Sequence, residues 1–133
     1  MLRLLIGLLV VAPVFGQTRA IIPATSAATG YPLSITTLNV TSADTTNLNA
    51  LVMSGDRKDL LVIKNNGAAT VNVTVNSVTD ERGRTGTLGP TAVPGGAIVI
   101  LGPFALSGWA QTNGKLNVEA STNNVSFAHI KLP

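Results

Sequence analysis

Residues 70–78 (TVNVTVNSV) alternate with a period of two, Val71, Val73 and Val75 pointing one way and Asn72, Thr74 and Asn76 the other. That alternation marks a β-strand with one face in a core and one in water. Residues 115–121 (KLNVEAS) repeat it, with Leu116, Val118 and Ala120 inward. Two runs, 59–65 (DLLVIKN) and 97–102 (AIVILG), are apolar without alternation and too short for a typical helix. They predict strands, the first buried on both faces. Residues 33–41 (LSITTLNVT), rich in β-branched types, and 124–132 (NVSFAHIKL) predict a first and a last strand.

The segments between these runs carry turn chemistry. Asn65-Asn66-Gly67 and Asn113-Gly114 combine residues that tolerate positive φ, as hairpin turns require, and Asn123-Asn124 does so less well. Pro94-Gly95-Gly96 interrupts the chain before residue 97, and Pro90, Pro94 and Pro103 all fall outside the predicted strands. Helical periodicity over three turns occurs nowhere beyond the N-terminal leader. The pattern predicts an all-β chain, a single β-sandwich of about seven to eight short strands over residues 32–133. Periodicity leaves jelly-roll-like and immunoglobulin-like topologies both open.

Residues 1–16 (MLRLLIGLLVVAPVFG) stand apart. One positive charge, Arg3, precedes an apolar run from Leu4 to Val11, and Gly16 offers a small residue for cleavage. This resembles a secretory signal, and it is short for a membrane span of about 20 residues. The alternatives are a leader from an upstream start codon or an uncleaved apolar segment that packs on a partner. A membrane enters only if residues 1–16 act as signal or anchor. Residues 17–31 (QTRAIIPATSAATGY) are small, polar and unpatterned, and predict an extended N-terminal arm.

Composition narrows the chemistry. Among 133 residues only 11% are charged, against about 25% in average chains. Cysteine is absent, which excludes disulfides, thiol catalysis and cysteine-held metals, and a single histidine excludes a multi-histidine site within one chain. His129 reads as a strand-face residue beside Phe127 and Lys131. Asp80-Glu81 offers oxygen ligands for a hard cation, although a solvated loop explains the pair as well. Gly83, Gly86 and Gly89 lack the lysine and helix of a phosphate loop. Aromatics are 4%, and Arg82 and Arg84 sit beside Asp80 and Glu81, so a nucleic-acid surface is not expected. The reading is of a non-enzyme, with no cofactor, no metal and no small-molecule substrate.

Low charge has a second consequence. Free monomers guard sheet edges with charge, proline or bulges. Nearly neutral Asn/Thr/Ser strands suit surfaces covered by copies or partners, and a homo-oligomer is expected.

Two stretches carry a family resemblance. One is 59–86 (DLLVIKNNGAATVNVTVNSVTDERGRTG), and the other runs from PGGAIVILGPFALSGWAQTNGKLNVEAS at residue 94 to the terminal FAHIKLP. With Arg19-Ala20, Gly30-Tyr31-Pro32 and Ala43-Asp44 before them, they resemble small all-β structural proteins of tailed bacteriophages. The resemblance covers roughly residues 21–133, and the leader at 1–16 departs from it. It implies a virion component on the capsid surface: a head decoration, cement or minor capsid protein whose partner is the major capsid protein. The rival reading is an exported bacterial β-sandwich, secreted or periplasmic after cleavage near Gly16, that binds carbohydrate or protein.

Within these motifs Gly102-Pro103-Phe104 should end a strand and turn Phe104 back onto the core. Trp109 reads either as a plug at the core edge or as an interface anchor, the role in which tryptophan is enriched. Trp109, Phe104, Tyr31, Arg82 and Arg84 are the interface candidates.

Overall fold

The computed structural model describes residues 18–27 and 38–133. Its ten strands are β1 (Ala20–Ile21), β2 (Ala24–Ser26), β3 (Val40–Ser42), β4 (Asn49–Val52), β5 (Asp59–Asn65), β6 (Val71–Asn76), β7 (Leu88–Val93), β8 (Ile98–Leu101), β9 (Lys115–Ala120) and β10 (Val125–Lys131). One sheet has the order β1-β4-β9-β6-β7 and the other β2-β10-β5-β8, with β3 also paired to β10. Without β1 and β2, the eight remaining strands form β4-β9-β6-β7 and β3-β10-β5-β8. That order is the double Greek key of a jelly roll, which decides between the two topologies that periodicity left open. The described residues are all-β, with ten strands rather than seven or eight.

The extra strands come from the segment read as an arm. Ala20 and Ile21 pair in parallel with Asn49 and Ala50, and Ala24–Ser26 pair in parallel with His129–Lys131 of the opposite sheet. Ile22 lies between them at 1% exposure, its N–H donating to the Ala50 carbonyl at 2.8 Å. Residues 20–26 are extended, as expected, but they are part of the sandwich rather than a free arm. One apolar side chain and two short ladders suffice for that, and such a signal is too sparse to register as periodicity. The leader, and residues 33–37 of the first predicted strand, lie outside the described residues.

The alternating strands bury what their pattern dictates. Val71, Val73 and Val75, then Leu116 and Val118, face Leu61, Ile63, Val125 and Phe127 of the other sheet across one core. Each such side chain contributes about 1.5–3 kcal/mol by leaving water. The turns behave differently from expectation. Asn65-Asn66-Gly67 and Asn123-Asn124 do not close hairpins, because β5 and β6, like β9 and β10, lie in opposite sheets. Asn65 instead clamps a crossing. Its Nδ2 donates to the carbonyls of Ala69 (2.7 Å) and Val93 (2.9 Å), and its Oδ1 accepts from the Gly67 N–H. Among the described residues β6 and β7 are the only consecutive strands hydrogen-bonded to each other. Pro90, expected outside a strand, lies within β7. It is tolerated because β7 is an edge, bulged against β6 between Val73 and Val75.

Candidate functional site

One end of the sandwich is built by the β6–β7 loop, residues 77–87, and the connection from β8 to β9, residues 102–114. Asp80 organises the first. Its Oδ1 accepts from the N–H groups of Arg82 (2.8 Å) and Arg84 (2.9 Å), and its Oδ2 accepts from Nε (2.9 Å) and Nη2 (2.7 Å) of Arg84. The Arg84 side chain, with help from its backbone N–H, holds the Asp80 carboxyl below the usual carboxylate range. Ser77 Oγ accepts from the Gly86 N–H at 2.9 Å and closes the base of the loop. Asp80 therefore has its oxygens committed within the loop, which favours the structural account of the Asp80-Glu81 pair over a cation site.

The second segment begins where Gly102 turns the chain at φ +113°, against the Asp59 carbonyl. Phe104 then folds back into the core at 2% exposure, as Gly102-Pro103-Phe104 predicted. Trp109 stacks edge-on against Phe104, ring centroids 5.2 Å apart at 63°, and is half-buried against the core. The Val78 N–H donates to the Gly108 carbonyl at 2.8 Å and joins the two segments. Between them opens a cleft of about 190 Å³ lined by Trp109, Ser77, Asp80, Arg84, Thr85 and Ser107. Three of the five interface candidates, Trp109, Phe104 and Arg84, thus meet at one end, with Arg82 exposed on the same loop. Tyr31 lies outside the described residues.

A second surface is the outer face of the β3-β10-β5-β8 sheet. Residues directly opposite in a ladder share a face. Val40 opposes Ala128, Ala128 opposes Val62, and Val62 opposes Ile100, which draws one apolar row across four strands. Val40 and Ile100 are 53% and 60% exposed, and Ile98 on the same face is 47% exposed. Lys64 is the one charged side chain among the described strand residues of this face. The 97–102 run is apolar for this reason and not because β8 is wholly buried.

Sequence reasoning missed one buried pair. His129 shares the strand face of Phe127, as expected, and that face points into the sandwich, leaving His129 1% exposed with Nε2 2.7 Å from Oδ1 of the fully buried Asp59. Asp59 Oδ2 accepts from the Ser54 N–H at 2.8 Å. Closed to solvent, this arrangement ties the β4–β5 loop, β5 and β10 together. Its only sequence signal was an aspartate opening one apolar run and a histidine within another. Among the described residues no three of His, Asp and Glu gather as a metal site would require. No protein-family model, curated protein or solved structure matches the chain.

Proposed function

We propose that this chain is a non-enzymatic structural protein of a phage particle, a capsid decoration, cement or minor head protein seated on the major capsid lattice. The observation that carries this reading is the outer face of the β3-β10-β5-β8 sheet, which has one charge among its described strand residues and exposes the apolar side chains of Val40, Ile98 and Ile100 on either side of the covered Val62 and Ala128. Apolar surface of this kind, rimmed by Ser and Thr, is what a protein partner covers. Repetition by lattice symmetry would let weak individual contacts add through avidity. Jelly rolls serve viral shells and lectins alike, so the fold supports the reading without selecting it.

The test is co-sedimentation with shells assembled from the major capsid protein of the same genome. The chain should pellet with the shells at saturable occupancy. Val40→Lys, at a side chain 53% exposed, should lower that occupancy with an unchanged circular dichroism spectrum. Absence of the wild-type chain from the pellet contradicts the proposal.

The cleft beside Trp109 favours the rival reading, an exported domain that binds carbohydrate. Its hydroxyls from Ser77, Thr85 and Ser107 flank an indole, a pairing suited to sugar hydroxyls and their apolar ring faces. A glycan array with wild type and Trp109→Ala tests it.

A further inference from the structure

The four edges of the two sheets are not equally protected. β1 is two residues long, and β2 and β3, which share one edge of β10, are three each. β7 carries Pro90, which has no N–H to donate, and a bulge against its neighbour. Short strands, proline and bulges are the devices by which sheets avoid pairing with other chains. β8, four residues long, has neither proline nor bulge. It reads Ile98-Val99-Ile100-Leu101, uncharged throughout, and among the described residues pairs on one side only, with β5.

The ladder shows which backbone groups that edge presents. The Asn65 N–H donates to the Ala97 carbonyl at 3.0 Å, so odd-numbered residues of β5 direct their backbone groups toward β8. The Asn66 N–H donates to the Asn124 carbonyl at 2.8 Å, so even-numbered residues face β10, as alternation in an antiparallel ladder demands. Val99 and Leu101, opposite Ile63 and Leu61, are therefore bonded to β5. Ile98 and Ile100, opposite Lys64 and Val62, point their N–H and C=O groups outward. Four backbone groups face the edge, and no other described residue bonds to them.

We propose that β8 pairs with β8 of a second copy of this chain, antiparallel about a two-fold axis at Val99. In that register Ile98 opposes Ile100 of the other copy and Ile100 opposes its Ile98. Each pair exchanges two hydrogen bonds, which satisfies all four outward groups at once. Shifting by two residues in either direction leaves only one such pair and half the bonds. The same register sets the exposed isoleucine side chains against each other on the outer face, where cross-strand apolar pairs add stability. It joins the apolar row of one copy to the edge of the next. A two-fold contact is self-complementary and closes, so it yields dimers rather than fibres. An unrelated extended segment on β8 would gain the same backbone bonds but has no reason to match Ile98 with Ile100. The inference stands on the ladder alone and does not depend on attachment to a capsid.

The absence of cysteine makes the test clean. Val99 opposite its own copy is a pair without backbone bonds between its members, with Cα atoms about 4.5 Å apart, within disulfide range. Val99→Cys should cross-link under mild oxidation roughly tenfold faster than Thr112→Cys, a control in an exposed turn, because pairing raises the local thiol concentration. Adding Ile98→Lys and Ile100→Lys to Val99→Cys should return the rate to that of the control, with the circular dichroism spectrum and melting curve preserved. Equal rates for Val99→Cys and Thr112→Cys overturn the proposal. So does a Val99→Cys rate that the two lysines leave unchanged in a folded protein.

Discussion

Removing the Asp59 carboxylate should be among the most damaging single changes in the chain. The side chain is fully buried, and its two oxygens face His129 Nε2 at 2.7 Å and the Ser54 N–H at 2.8 Å. The Ser54 N–H donates to Oδ2, while Oδ1 and Nε2 share one hydrogen bond. Asp59→Ala leaves both neighbouring polar groups buried without a partner, at about 1–3 kcal/mol each. The total, about 2–6 kcal/mol, brackets the roughly 3–5 kcal/mol that breaking a buried pair from one side usually costs. Urea unfolding followed by circular dichroism reads it directly. With a slope of about 2 kcal/mol per molar, typical of small domains, the midpoint should fall by about 2 M. His129→Ala should cost a similar amount alone and clearly less in the Asp59→Ala background, since the shared interaction is lost once. A loss below about 1 kcal/mol for Asp59→Ala, or strict additivity of the two changes, would refute this account of the pair.

Further outcomes follow from the same geometry. Ile22→Ala should cost about 2–5 kcal/mol by urea unfolding, because Ile22 is 1% exposed in the core; a free arm would show almost no change. Gly102→Ala should lower the melting temperature, since φ is +113° and a Cβ there would lie 2.7 Å from the Asp59 carbonyl oxygen. Trp109, the sole tryptophan, reports on the Asp80 loop by fluorescence. Arg84 depresses the Asp80 carboxyl, so the contribution of that pair is complete above the usual carboxylate value and is lost as pH falls through the lowered folded one. The emission change attributable to Asp80 should therefore fall below the usual carboxylate range and vanish in Asp80→Asn; a transition above that range would contradict the assignment.

Periodicity found the strands whose burial is one-sided and regular. β5 runs over residues 59–65 as expected, and β6, β9 and β10 match their predicted runs closely. The strands it missed lack that signature. β4 reads Asn49-Ala50-Leu51-Val52, with a buried asparagine breaking the alternation, and β7 holds Gly89 and Pro90, which ordinarily argue against a strand. Asn/Gly turns were legible as turns, but not as crossings between sheets, because turn chemistry fixes local φ and not which sheet comes next. The meeting of Trp109, Phe104 and Arg84 follows from that crossing pattern, which no local window contains. The apolar row from Val40 to Ile100 is likewise a product of register, assembled from four separate strands.

The central claim is that this sandwich works by adhering to a repeating protein shell. Quantitative mass spectrometry of purified particles, set against the major capsid protein as internal standard, tests it most directly. The account predicts a fixed ratio of this chain to the shell subunit that survives repeated density-gradient banding. A chain that is absent from the banded particles, or that washes away as a trace contaminant, would contradict it.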